Sequence, residues 1–337
     1  MPTIEDVADL AGVSIATVSR VLNNSYIVSQ DKKDKVLSAV KTLNYQAPTK
    51  RQSPKAVKER LILAVGPGGS SFPEDIQAGL KDEAAEQDYD LVFYYSKDLS
   101  ELLSMKIISN GVCSGIILSN MISSCADLNQ LGTFVPFIQC GEFIHKPHTY
   151  AVSINEVKAS FEIVNHFLSL GRRKIAFVAP VLAGKTHYFI HEREKGYRLA
   201  LAEAGLQFDR HLKFEGEFSI ESGIGVGNEI LKQNDRPDAV FCATDQLAFG
   251  CMLAFSEADI KIPDDIAIAG FDDADISNLC RPPLTTVEQP FYEIGRACVQ
   301  MLSSLICGQY NPDIGRHMII DHKLKFRAST VGSDGKT

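Results

Sequence analysis

From Leu61 onward the chain alternates short apolar runs with longer stretches of helical periodicity, and this alternation leaves few architectures open. Residues 61–66, 90–95, 115–119 and 135–140 are apolar runs of strand length, and residues 73–87, 99–110 and 124–131 between them carry apolar side chains at helical spacing. A second set follows, with strands at 174–179, 211–215, 239–243 and 266–271 and helices at 192–204, 220–234 and 245–258. Strands joined through helices run parallel, and a parallel sheet must be covered on both faces. Two such sets predict an α/β body of two doubly wound parallel-sheet lobes with a cleft between them. In sheets of this kind a ligand sits beyond the carboxyl ends of the strands. One more helix, 292–307, and a strand-like stretch, 316–325, close the body.

Residues 1–46 read differently. Thr3 is placed to cap a helix whose first turn carries Glu5 and Asp6, and Ile4, Val7, Ala8 and Ala11 give it one apolar face. Gly12 ends the helix and Val13 turns inward. Ser14 opens a second helix, residues 15–22, with Val18 and Val21 inward, and Asn23-Asn24 ends it. A third helix, residues 30–43, is apolar at Val36, Leu37, Val40 and Leu43. Three short helices with a glycine-bearing turn describe an all-α helix-turn-helix head. Its second helix would place Ile15 and Ala16 at base edges and let Arg20 reach guanine or phosphate. Ser14, Thr17, Ser19 and Asn23 are short donors suited to phosphate oxygens. A small helical bundle with no nucleic-acid role would show the same apolar pattern.

Charge separates the two parts. The chain carries a net charge of −8, yet residues 1–60 hold ten basic against six acidic residues, a net of +4, which leaves −12 on the rest. A basic head on an acidic body predicts that only the head meets a polyanion. Residues 47–60 are polar, basic and broken by Pro48 and Pro54, the composition of a flexible linker. No basic start leads into an apolar core, and no apolar run is long enough to span a bilayer, so a cytoplasmic protein without a membrane partner is expected. The eight cysteines are scattered without a C-x-x-C pair and are expected to be reduced core residues.

The stretch "DVADLAGVSIATVSRVLN", residues 6–23, resembles the DNA-binding head of the lactose repressor/galactose repressor family. The resemblance continues through "SFPEDIQAGLKDEAAEQDYDL", "GRRKIAFVAP", "HEREKGYRLALAEAGL", "DAVFCATDQLAFGCMLAF", "IPDDIAIAGFDDADIS" and "RPPLTTVEQPFYEIGR", in order. It implies a transcription regulator, acting as a repressor, with a double-stranded operator, a small-molecule effector and a homodimer, and with Ile15, Ala16 and Arg20 as base readers. It implies lobes of periplasmic-binding-protein type joined by three chain crossings, the first about residues 61–155 plus 291–322 and the second about 156–290 plus 323–337. It also implies a hinge helix that wedges an apolar side chain into the minor groove. Here the sequence departs: Pro54 stands where the wedge would fall and Val57 is the one sizeable apolar candidate, so a loose tether is expected. In this, and over residues 274–296, the chain is most similar to the cytidine-responsive repressor branch, which implies a co-bound activator protein.

The effector residues follow from place and chemistry together. Arg193 is expected early in a helix, where its guanidinium can pair with hydroxyls or a carboxylate, and Gly196 admits a neighbouring backbone. Asp272, ending a strand, can accept two sugar hydroxyls, and Phe218 can stack on a ring. The resemblance places effector contacts at Arg193, Phe218, Thr244 and Asp272, faced by Ser70, Ser71 and Phe72. Arg193 alone would also fit a solvated helix residue, Phe218 core filling, and Asp245 a helix cap. A sugar or a nucleoside is the expected effector. The homodimer is expected through the helices at 245–258 and 276–280.

Other chemistries are set aside. Gly66-Pro67-Gly68-Gly69-Ser70-Ser71 lacks the spacing and the lysine of a phosphate-binding loop. His187 and His191 are four apart, but no Glu follows His187 and the segment falls in an expected loop. There is no G-x-S-x-G elbow. Neither an enzyme nor a cofactor is expected. The rival readings are a solute receptor of the same architecture and a sugar- or nucleoside-cleaving enzyme.

Overall fold

The computed structural model describes residues 2–14, 17–18, 21, 30–43, 45, 60–67, 72–96, 98–121, 124–141, 143, 149–181, 187–310 and 315–331. The chain divides into two compact units, Met1–Glu59 and Arg60–Thr337.

In the first unit, helix Ile4–Ala11 opens with a capping box: Asp6 N donates to Thr3 Oγ1 and Thr3 N donates to the Asp6 carboxylate at 2.6 Å. Those hydrogen bonds hold the Asp6 carboxyl below its ordinary range. Gly12 ends the helix with a φ of 65°, a left-handed conformation that costs glycine little. Val13 N then bonds back to Ala8 O at 3.0 Å. At Ser14 a new helical turn starts, with Val18 N donating to Ser14 O and Thr17 N to Ser14 Oγ. Val7, Ala8, Ala11, Val18 and Val21 pack with Val36, Ala39 and Tyr45, the last from just beyond helix Gln30–Thr42. Leu37 departs from its expected inward position. It is 53% exposed, because Ala39 takes the face between Val36 and Val40.

The second unit holds two parallel sheets. The first runs β11 (Arg316–Ile319), β5 (Tyr150–Ser153), β4 (Phe137–Cys140), β3 (Cys113–Ser119), β1 (Leu61–Pro67), β2 (Asp90–Ser96). The second runs β7 (Lys213–Gly216), β6 (Ile175–Pro180), β8 (Ala239–Cys242), β9 (Ala267–Ala269). Alternate residues serve opposite layers, which is why the strand runs are apolar throughout. Ile62, Ala64 and Ile117 face the core shared with helices Glu74–Glu86 and Phe291–Ile306, whereas Leu63, Val65 and Ile116 face helices Leu99–Leu103 and Cys125–Phe134. In the second sheet Phe177 and Phe241 meet helices Glu156–Ser169 and Tyr188–Glu203, while Val178 and Val240 meet helices Ile220–Leu231 and Asp245–Glu257.

The chain passes between the sheets three times: after β5, after β10 (Thr286–Glu288), and between β11 and β12 (Lys323–Lys325). The crossing strands hold one another. β10 pairs antiparallel with β12, and Ile320 N donates to Ser153 O at 3.0 Å. The expected strand at 316–325 is therefore two strands, because its halves belong to different sheets. The expected helix at 99–110 is likewise two, Leu99–Leu103 and Lys106–Ser109, separated by Met105 in extended conformation. Strand Tyr150–Ser153 and helix Glu156–Ser169 were not anticipated. Among the described residues no helix is long and apolar enough to cross a membrane.

Helices Glu74–Glu86 and Phe291–Ile306 cross at glycines. A Cβ on Gly79 would lie 2.1 Å from Tyr292 O, and one on Gly295 would lie 2.5 Å from Ile76 O. Gly79→Ala must force these backbones apart, at a cost of about 1–3 kcal/mol. The expected outcome is a lower urea midpoint with an unchanged m-value. Gly225→Ala, whose Cβ meets nothing within 4 Å, serves as the control.

Candidate functional site

A cavity of about 650 Å³ lies between the two sheets, within the size range of small-molecule sites. Its walls come from the carboxyl ends of strands on both sides: Pro67, Ser119, Cys140 and Ser153 from the first sheet, and Glu217, Phe218, Thr244 and Asp272 from the loops after β7, β8 and β9. Helix starts supply more of the wall, with Pro73 and Ile76, Glu156, His187 and Phe189, and Phe291 and Ile294.

Arg193 is the centre of the floor. It sits in the second turn of helix Tyr188–Glu203, which begins earlier than the sequence pattern indicates and takes in His191. The side chain is 2% exposed, with Cζ 3.5 Å from the Phe271 ring centroid and 5.0 Å from that of Phe189. Nε donates to Glu156 Oε2 at 2.8 Å and Nη1 to Ala243 O at 2.5 Å. Nη2 donates to Glu156 Oε1 at 3.5 Å and to Asp272 Oδ1 at 3.4 Å. Burial opposes the charge on Arg193, but the two carboxylates outweigh it and hold the guanidinium above its ordinary value. For Glu156 and Asp272 the balance is reversed: loss of water raises both, and Arg193 only partly offsets it. Gly196 lets the helix approach helix Glu156–Ser169, since a Cβ there would lie 2.2 Å from Val157 O.

Asp272 stands in a strained turn, with φ of 110° followed by 55° at Asp273. Its N–H donates to Val287 O and its Oδ1 accepts from Gln289 Nε2 at 2.7 Å. These contacts hold a carboxylate at the cavity wall in a backbone conformation that costs of order 1–3 kcal/mol. Thr244 lines the cavity and also caps helix Asp245–Glu257 by accepting from Leu247 N. That corrects the expectation that Asp245 is the cap. Asp245 is the first helical residue, accepting from Thr286 Oγ1 and from Ala274 N, each at 2.7 Å. Burial, with Asp272 nearby, pushes its carboxyl well above 3.8.

The structure brings Arg193, Phe218, Thr244 and Asp272 to one cavity, with Phe218 edge-on to His187 at 5.8 Å. Phe72 is not brought there. Its ring is 4% exposed and packs edge-on against Phe93 at 5.3 Å and Tyr95 at 6.0 Å, so Pro73 takes the wall position. Glu156, His187 and Gln289 are wall residues that sequence reasoning missed. Glu156 was legible as an acidic first-turn residue after the capping Asn155, ahead of the helical period of Ala159, Ile163 and Phe167. In the head, Ser14 is exposed and its hydroxyl lies 2.9 Å from that of the half-exposed Thr17. Ser70, Ser71, Ile15, Ala16, Ser19, Arg20, Asn23, Pro54 and Val57 lie outside the described residues.

Residues 3–47 match the bacterial regulatory proteins of the lacI family, and residues 164–330 match the periplasmic binding protein-like domain. The NTD biosynthesis operon regulator NtdR of Bacillus subtilis is 30% identical over 335 residues, covering 98% of this chain and 100% of the relative. The chain belongs to the LacI family. The transcriptional repressor CytR of Escherichia coli is also 30% identical, over 97% of this chain and 96% of its own. Two solved structures share 26% identity and a TM-score of 0.71 over 98% of this chain: the transcriptional regulator CelR in complex with cellobiose, covered over 100% of its length, and the lac repressor dimer bound to operator and the anti-inducer ONPF, covered over 99%. This LacI-family chain is thus an effector-controlled, DNA-binding transcription regulator with a helix-turn-helix head and a two-lobed body, and its relatives are regulators rather than enzymes.

Two outcomes follow from the floor's electrostatics. Glu156→Ala leaves a buried guanidinium short of its main counter-charge and is expected to cost about 3–5 kcal/mol in urea unfolding. Glu156→Gln, which keeps an acceptor, costs less. For Asp245 the folded acid titrates above its unfolded counterpart, so its contribution to stability falls as pH rises from 3.8 through the raised value. The stability difference between wild type and Asp245→Asn should therefore move toward the variant as pH rises above 3.8, read by urea unfolding at a series of pH values.

Proposed function

We propose that the effector is a sugar or a nucleoside held between the lobes, and that its binding resets how the two linkers of a homodimer are spaced on an operator. The pairing of Arg193 with Asp272 at the cavity floor carries this reading. The guanidinium fixes the Asp272 carboxylate at the wall, where it offers an acceptor to ring hydroxyls. Thr244 adds a wall contact and Phe218 a stacking face. Ser71 stands across from them by family resemblance. The similar regulator CelR, solved with cellobiose, favours the same ligand class.

In this reading residues 1–46 are the DNA-reading head, 47–60 the linker, and 61–155 plus 291–322 and 156–290 plus 323–337 the two lobes. Ile15, Ala16 and Arg20 read bases, while Ser14, Thr17, Ser19 and Asn23 hold phosphates. The two heads of a dimer match the halves of a near-palindrome. Leu279 is 72% exposed and Leu253 36%, on the two helices where the dimer contact is expected, which supports association there. Pro54 makes the linker a loose tether, so half-site spacing is tolerated and a co-bound activator protein strengthens binding. The regulator works in the cytoplasm and represses.

The test is selection of genomic fragments by the purified full-length protein. Enrichment of a shared near-palindrome is expected, with half-site spacing that varies between fragments. Arg20→Ala should weaken the selected sites by about 1–3 kcal/mol and relax one base position. Asp272→Ala should leave operator affinity intact and abolish its response to the effector. Failure to enrich any sequence, with or without candidate effectors, would overturn the reading.

A further inference from the structure

The distribution of charge around the cavity narrows the effector further. Among the described wall residues the carboxylates are Glu156, Glu217, Asp245 and Asp272, and the one guanidinium is Arg193. All five lie on the second-lobe side. The described wall of the first lobe, including Ser119 and Asn120, bears no ionised side chain. Arg193 is not held open for an incoming anion. Four of its N–H···O contacts are already directed at Glu156, Asp272 and Ala243 O.

A phosphate or carboxylate that came within reach of Nη2 would sit beside two carboxylates in a partly dry cavity. There like charges repel far more strongly than in water. To reach Nη2 it would also have to displace Glu156 or Asp272 from the guanidinium. Helix starts at the cavity add partial positive charge, about half a unit each at most. Three of them are occupied by their own caps, since Asn155, Ser219 and Thr244 accept the hydrogen bonds of Lys158, Ser222 and Leu247 N–H. A hydroxyl or an ammonium meets the opposite situation. It donates to the Asp272 carboxylate, whose Oδ1 takes Gln289 and Arg193, and it brings no like charge beside the wall carboxylates.

We propose that the effector carries no negative charge: the cleft takes an uncharged or cationic hydroxylated ring and rejects its phosphorylated and carboxylated forms. This rests on the reading of the cleft as a site for a hydroxylated ring. Sugars and nucleosides share that chemistry, and the test separates them.

The experiment is a binding panel on the full-length protein, read by thermal shift and then calorimetry. It contains hexoses, disaccharides and ribonucleosides, each as the parent, the amino-substituted and the phosphorylated compound, with the free nucleobases as a control without hydroxyls. Stabilisation is expected only from parent or amino forms, with the phosphorylated counterpart bound at least about tenfold more weakly. Glu217→Gln removes one exposed carboxylate at the wall and should narrow that gap a few-fold, as should added salt. A phosphorylated compound that binds as tightly as its parent overturns the charge inference and leaves the hydroxylated-ring reading standing. A hit confined to the free nucleobases overturns that reading and leaves the charge inference standing. Silence across the whole panel overturns both.

Discussion

The buried guanidinium of Arg193 is the constraint around which the effector domain is arranged. A charge this far from water is tolerated only with close counter-charges and satisfied donors. Arg193 obtains them from three directions. Glu156 opens the helix that follows the first crossing between the sheets, Ala243 O follows β8, and Asp272 follows β9. Asp272 is held in turn by Gln289, which lies on the second crossing. One side chain therefore ties the floor of the second lobe to two of the three segments that carry the chain across. Breaking any of these bonds leaves a charged group without its partner, so the arrangement favours one geometry over many near neighbours.

The same economy explains how a ligand can act at a distance. A ligand that bonds to Asp272 competes with Gln289 and Arg193 for the same oxygen, and so bears on the crossing segments directly. Asp245 adds a second tie. Its carboxylate takes the hydroxyl of Thr286 on β10 and the N–H of Ala274 in the loop that carries Asp272. β10 pairs with β12 across the third crossing. The cavity wall and the crossing strands thus share hydrogen bonds, and a change at one alters the energy of the other. A coupling of about 1–3 kcal/mol, typical of effector control, needs only one or two such bonds to differ between states.

Much of the architecture was legible in the sequence because its signals are local. The strands at 61–66 and 239–243 are apolar on both faces, which a parallel sheet requires, and the capping signals at Thr3 and Ser14 need only their own neighbours. The misses share a cause. Strand Tyr150–Ser153 is four residues long and carries little signal of its own, and the split of 316–325 reflects which sheet each half joins, a long-range matter. Phe72 looked like a cleft residue because the family resemblance placed it there, yet its ring is buried against Phe93 and Tyr95. Arg193 and Asp272 were found from residue type, position and family resemblance together. Glu156 was passed over because nothing in its own segment shows that a guanidinium 37 residues away needs a partner.

The two units consequently keep their structure by different means. The body has layered cores on both faces of two sheets, and its functional groups are fixed by contacts between distant segments. Among the described residues the head has one small cluster around Val7, Val18 and Val36. A unit of that size buries too little apolar surface to be more than marginally stable by bulk burial alone. Its shape is set by local devices instead: the Thr3–Asp6 box, the left-handed Gly12 and the cap at Ser14. These fix the angle between the first helix and the start of the second, which is the geometry a major groove reads.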